Sequence, residues 1–236
     1  MQTTILENLE RLEDQISGAC KRAGRPRGDV QLMAVSKLHP ADALREAVAA
    51  GVMLFGENRV QEWGQKLPLV ADLSIKVHLV GHLQSNKVTK AAEIFAGVDT
   101  VDSVRLAEKL DESAGKLSRT VPVLIEVKLS PEEAKTGIGP RDLPHLLERF
   151  VDFRNLQLRG LMTVPPWSED PEAARPYFSE LRKLRDRLTA AYPALDISEL
   201  SMGMSGDFAV AVEEGSTCIR IGTAIFGKRR SSSQVG

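Results

Sequence analysis

Apolar positions along this chain follow two alternating patterns. Residues 2–22 carry the first. Ile5, Leu9, Leu12 and Ile16 recur at three- and four-residue steps, which lines one face of a helix. "GRPRGD" at 24–29 then breaks that helix with Gly and Pro. From residue 30 the second pattern begins: short apolar runs alternate with longer helix-like stretches. The runs are "VQLMAVS" (30–36), "VMLF" (52–55), "VHLV" (77–80), "VDTV" (98–101), "PVLIEV" (122–127), "LQLRGL" (156–161), "ISELSM" (197–202) and "TCIRI" (217–221). The stretch after the sixth run is the clearest helix, with Leu181, Leu184, Leu188 and Ala191 on one side and Arg and Lys between them.

Strands alternating with helices predict parallel β/α units. The runs are too uniformly apolar for an antiparallel sheet with one wet face. Eight units fit a closed barrel. The alternative is an open doubly wound sheet, but no G-x-G-x-x-G follows the first run. The expected fold is therefore α/β: a single-domain (β/α)8 TIM barrel over residues 1–228, with an extra N-terminal helix. The polar end at 229–236 is expected to be disordered.

Composition narrows the function classes. The 236 residues are 42% hydrophobic and 27% charged, with net charge −1 and the two signs interleaved. That lacks the one-sided basic surface of a nucleic-acid binder. No run approaches the ~18 apolar residues of a membrane span, and the acids in "MQTTILENLERLED" argue against a signal peptide. Neither nucleic acid nor membrane is expected as a partner. Cys20 and Cys218 lie far apart with no C-x-x-C, which fits a reducing cytoplasm.

In a barrel the chemistry sits at the C-terminal ends of the strands. The first run ends on Lys37. A lysine partly desolvated at a barrel mouth has a lowered pKa, and a neutral amine attacks an aldehyde to form an imine. The alternative is a salt-bridged or snorkelling lysine. After the seventh run, "SMGMSGD" offers Ser201 and Ser205, with Gly203 and Gly206 to let backbone approach a ligand. After the eighth, "IGTAIFG" offers the N–H groups of Gly222 and Thr223 and the Thr223 hydroxyl. Barrels often bind phosphate between these two loops; otherwise the glycines serve turns alone. An imine-forming lysine and a phosphate cradle on one rim point to pyridoxal 5′-phosphate. Arg220 lies two residues before Gly222 and so on the same side of its strand. Facing the pyridine nitrogen, it would keep that nitrogen unprotonated and make the ring a poorer electron sink. The alternative is an ion pair with Glu126 or another rim carboxylate.

Other polar residues have plainer readings. His78 and His82 are four apart across a strand end, which suits packing or rim hydrogen bonds better than zinc. His39 belongs to the ligand region or to its loop. Cys218 reads as an inert buried thiol. Asp207 and Asn86 are expected to cap the helices that follow them, and Glu57 and Gln84 to orient rim groups.

Together, "AVSK", "FGENRVQE", "HLVGHLQSNK", "LRGLM" and "SMGMSGD…AVEEGSTCIRIGTAIFG" resemble the YggS/PROSC family of pyridoxal-phosphate homeostasis proteins, from the N-terminal helix to Gly227. The resemblance implies a fold-type III barrel like the N-terminal domain of alanine racemase. It implies an internal aldimine on Lys37, Arg220 at the pyridine nitrogen, and phosphate held by Ser205, Gly222 and Thr223. Asn58 of the G-E-N motif and Met202 of "SMGM" would lie at the cofactor. Lys128 and "MTVPPWSED" depart from the family's pattern, on the rim alone. The implied role is to carry or buffer the cofactor and support vitamin B6, amino-acid and keto-acid homeostasis, with pyridoxal-phosphate-requiring apoenzymes as partners and no robust turnover. The alternative is a weak amino-acid racemase. A two-base racemase needs an acid/base on each face of the substrate. Lys37 serves one face, whereas Tyr177 and Tyr192 fall in the helix after the sixth strand. No second domain with a further tyrosine is expected after the eighth. A third reading is a barrel for another phosphate ester, with Lys37 as a charge clamp.

Overall fold

A computed structural model describes residues 4–130 and 136–227. The polar end at 229–236 and part of "SPEEAKTG" lie outside the described residues. Each apolar run holds a strand: β1 Gln31–Val35, β2 Leu54–Glu57, β3 Lys76–Leu79, β4 Gly97–Val101, β5 Val121–Glu126, β6 Leu156–Met162, β7 Glu199–Ser201 and β8 Cys218–Ile221. They are parallel and close in chain order, β8 returning to β1 with Gln31 opposite Cys218 and Ala34 opposite Ile221. Closure leaves no strand edge to protect.

Helix α1, Ile5–Arg22, precedes the barrel. Thr4 and Glu7 form a reciprocal cap at its start, and Leu9, Leu12, Ile16 and Ala19 bury its apolar stripe. The helices between and after the strands are α2 Ala41–Ala49, α3 Val60–Lys66, α4 Val88–Ile94, α5 Val104–Lys116, α6 Leu143–Phe150, α7 Arg175–Ala191, α8 Phe208–Glu213 and α9 Thr223–Phe226. The stripe of α1 packs against α8 and α9, the helices after the last two strands. Asn8 Nδ2 donates to Ile225 O at 2.8 Å, and Arg22 pairs with Glu213 at 2.7 Å. The stripe of α7 runs through Phe178, Leu181, Leu184 and Leu188, while Ala191 is exposed.

Several local expectations need correction. Strand β1 stops at Val35, so Lys37 stands in the turn beyond it rather than in the strand. Strand β2 extends through Gly56 and Glu57, which read as loop in the sequence. A Cβ at Gly56 would lie 2.9 Å from Met33 Sδ, so a larger residue there would have to displace the Met33 side chain. Asn86 lies in a 3-10 turn, and α4 has no side-chain cap. Asp207 occupies the N-cap position of α8, but its carboxylate accepts from the Met204 N–H at 2.6 Å instead of capping the helix. Among the described residues no helix is long and apolar enough to cross a membrane.

Candidate functional site at the barrel mouth

The C-terminal ends of the strands enclose a chamber of about 540 Å³. Lys37, Asn58, Ser205, Arg220, Gly222 and Thr223 all line it. These six come from the segments after β1, β2 and β7, from β8 itself, and from the start of α9. A hollow of about 620 Å³ at the opposite end, beside α1 and the start of β1, is lined by Leu6, Glu10, Arg27 and Met53 and has none of this strand-end chemistry.

Arg220 points inward and is buried. Its Nη1 donates to Ser201 Oγ at 2.7 Å and its Nη2 to Thr163 O at 2.9 Å. Burial holds its pKa below the ordinary arginine value, with nearby carboxylates offsetting part of the effect. The alternative ion pair with Glu126 is not formed: among the described residues Arg220 has no carboxylate within salt-bridge distance. Glu126 accepts from Thr136 Oγ1 at 2.8 Å instead, and burial pushes its carboxyl up.

The two loops expected to cradle phosphate are joined. Ser205 Oγ accepts from the Ala224 N–H at 3.3 Å, which ties the loop after β7 to the first turn of α9. Gly203 has φ +98°, and a Cβ there would lie 2.6 Å from that of Ala211. The reversal at Gly203 separates the two neighbouring methionines. Met202, expected at the cofactor, is fully buried in the core, whereas Met204 lines the chamber. Sequence reasoning also missed Trp167, which is 81% exposed on the chamber rim. The Pro165-Pro166 pair before it was the available signal, since it stiffens the loop that presents the ring.

The remaining candidates are placed as follows. His39 lines the chamber and stacks on Phe226, ring centroids 4.8 Å apart. His78 is inside, 2.9 Å from Asp99; burial lowers its pKa, but the charge and hydrogen bond of Asp99 outweigh that and raise it. His82 lies outside, 3.6 Å from Asp102. No group of three or more metal-ligating side chains occurs among the described residues. Both cysteines are free and buried, and burial pushes the Cys218 thiol up to about 12. Tyr177 and Tyr192 are absent from the chamber lining.

A closed β/α barrel with a lysine-bearing turn after β1 and an inward arginine on β8 defines a class, and residues 8–230 match its family model, "Alanine racemase, N-terminal domain". In fold alone, alanine racemase of Clostridium difficile 630 is similar with a TM-score of 0.70 at 15% identity, the match covering 96% of this chain and 58% of that one. The "Pyridoxal phosphate homeostasis protein" of Aquifex aeolicus (strain VF5) is 42% identical over 224 residues, 95% of this chain and 98% of that protein. PipY of Synechococcus elongatus PCC7942, solved with PLP bound, is 43% identical with a TM-score of 0.85, covering 95% of this chain and 100% of that one. The chain belongs to the pyridoxal phosphate homeostasis protein family.

Proposed function

We propose that this protein binds pyridoxal 5′-phosphate at the barrel mouth and carries or buffers it for pyridoxal-phosphate-requiring apoenzymes. The observation that carries this reading is the donor set. One chamber brings together an amine, a buried guanidinium, two hydroxyls and the start of α9, donor types that suit the aldehyde, the ring nitrogen and the phosphate of this cofactor. The bound cofactor supplies an aldehyde that condenses with amines and a ring that withdraws electrons. Lys37 supplies the amine for a covalent link. Ser205, Thr223 and the Gly222 N–H hold the phosphate. Arg220, fixed by Ser201 and Thr163, donates to the ring nitrogen and keeps it unprotonated, which weakens electron withdrawal. Asn58 lies beside the ring. Met202 supports the loop from the core.

That electronic setting disfavours turnover, and so does the placement of Tyr177 and Tyr192 away from the chamber, which leaves no tyrosine for the second face of a racemase site. The two buried free thiols fit a reducing cytoplasm. The test is direct. Pyridoxal phosphate is added, the visible absorption band is recorded, and the link is reduced with borohydride and mapped by mass spectrometry. The expected label is on Lys37. No band and no label would overturn the reading. Turnover of any member of an amino-acid panel, lost in Lys37→Ala, would convert the carrier to an enzyme.

A further inference from the structure

The turn that carries Lys37 is gripped from behind by groups that do not line the chamber. Lys66, the last residue of α3, is buried, and its Nζ donates to Ser36 O at 2.9 Å, to Glu57 Oε1 at 2.9 Å and to Glu62 Oε1 at 2.7 Å. An ammonium has three donors, and these contacts use all three. Ser36 Oγ donates to the same Glu57 oxygen at 2.7 Å, and the Leu38 N–H donates to Glu62 Oε1. The residues on either side of Lys37 are therefore both tied, Ser36 through its carbonyl and hydroxyl, Leu38 through its amide.

The backbone shows why the grip is needed. Leu38 has φ +64° and is 58% exposed. A left-handed non-glycine residue costs about 1–2 kcal/mol, and an exposed leucine recovers little of that by burial. The strain persists because the surroundings over-determine it. The ion pair does more than link side chains: it satisfies the peptide groups on both sides of Lys37.

We propose that Lys66, Glu57 and Glu62 are positioning residues that hold the Lys37 amine in its attacking geometry at the chamber. This rests on Lys37 as the attachment point. In that step the amine nitrogen bonds to the aldehyde carbon, and the aldehyde oxygen leaves as water with two protons. The clamp fixes the nitrogen's approach and takes no part in the proton transfers.

The test separates covalent loading from simple binding. Loading is followed by the visible band. Binding is followed with pyridoxine 5′-phosphate, which carries an alcohol in place of the aldehyde and probes only the non-covalent contacts, the cradle and Arg220. Glu62→Ala, which frees the Leu38 amide, is expected to slow loading about tenfold or more while analogue affinity stays within about twofold. Glu62→Gln keeps an acceptor for that amide and is expected to load close to the wild-type rate. A folded Glu62→Ala that loads at the wild-type rate overturns the inference, as does an equal loss of loading and analogue binding. If Glu62→Ala does not fold, Lys66→Met, which frees the Ser36 carbonyl, makes the same comparison with the same two outcomes. A wild-type chain labelled on Lys37 whose variants load normally sinks the clamp alone. A wild-type chain with no label on Lys37 sinks the cofactor-site reading as well.

Discussion

A guanidinium that is 5% exposed must find its hydrogen bonds inside the protein. Arg220 finds them on Ser201 Oγ and Thr163 O. Arg220→Met would leave both partners unpaired in the interior. The expected loss is about 1–3 kcal/mol, read as a lower urea midpoint, together with weaker cofactor binding. His78 gives a second prediction, in pH. Its folded-state pKa lies above the ordinary 6.5, so pairing with Asp99 contributes stability that is fully present below that value and fades as pH rises through the folded pKa. Asp99→Asn is therefore expected to cost most in acid. Urea titrations at several pH values should show the gap to wild type closing as pH rises, and a constant gap would refute the assignment. At this scale the sequence was informative wherever chemistry coincides with a strand end. Lys37, Ser205, Arg220, Gly222 and Thr223 could be read that way, whereas Asn58 came from the family resemblance alone; all six line the chamber. Met202 lies in the core and not on the chamber wall, a placement set by the turn at Gly203 and invisible in side-chain type. In the sequence Lys66 shows only a helical pair with Glu62 four residues earlier, which reads as a solvated surface ion pair; its other partners, Glu57 and Ser36, lie nine and thirty residues away.

Among the elements, the loop between β7 and α8 joins fold to function. It leaves the sheet at Ser201, reverses at Gly203, and delivers Ser205 to the first turn of α9. Gly203→Ala meets two penalties: a left-handed φ of +98° and a contact of 2.6 Å with the Ala211 Cβ. The φ penalty alone is about 1–3 kcal/mol. The variant is expected to unfold at lower urea and to bind pyridoxine 5′-phosphate more weakly, since Ser205 moves with the loop. Unchanged analogue affinity in the destabilised variant would separate the loop from the cradle. The strands themselves were legible because a parallel sheet covered on both faces demands continuous apolar runs. Strand β2 was read two residues short for the complementary reason. Its end contains Glu57, a residue type that signals solvent, and only the distant Lys66 and Ser36 make its burial tolerable.

On the scale of the whole molecule, the chamber exists only in the closed barrel. Its lining comes from residues as far apart as Lys37 and Thr223, brought together when β8 pairs with β1. The unfolded chain keeps the lysines but not the cradle, so a ligand of this chamber binds the native state selectively and must stabilise it. At a hundred times the dissociation constant the gain is about 2.7 kcal/mol. A chain of this length shifts its melting midpoint by about 2–4 °C per kcal/mol, so pyridoxal phosphate at that ratio is expected to raise the midpoint by roughly 5–11 °C. Two partial experiments, run at the same ligand concentration, divide the gain. Pyridoxine 5′-phosphate should give the part that belongs to the cradle and Arg220. Lys37→Ala with pyridoxal phosphate should give a rise no larger than that. A full shift in Lys37→Ala would mean that the covalent link adds nothing to retention. The protein would then hold its cofactor by the non-covalent contacts of the cradle and Arg220, and the clamp behind Lys37 would lose its purpose.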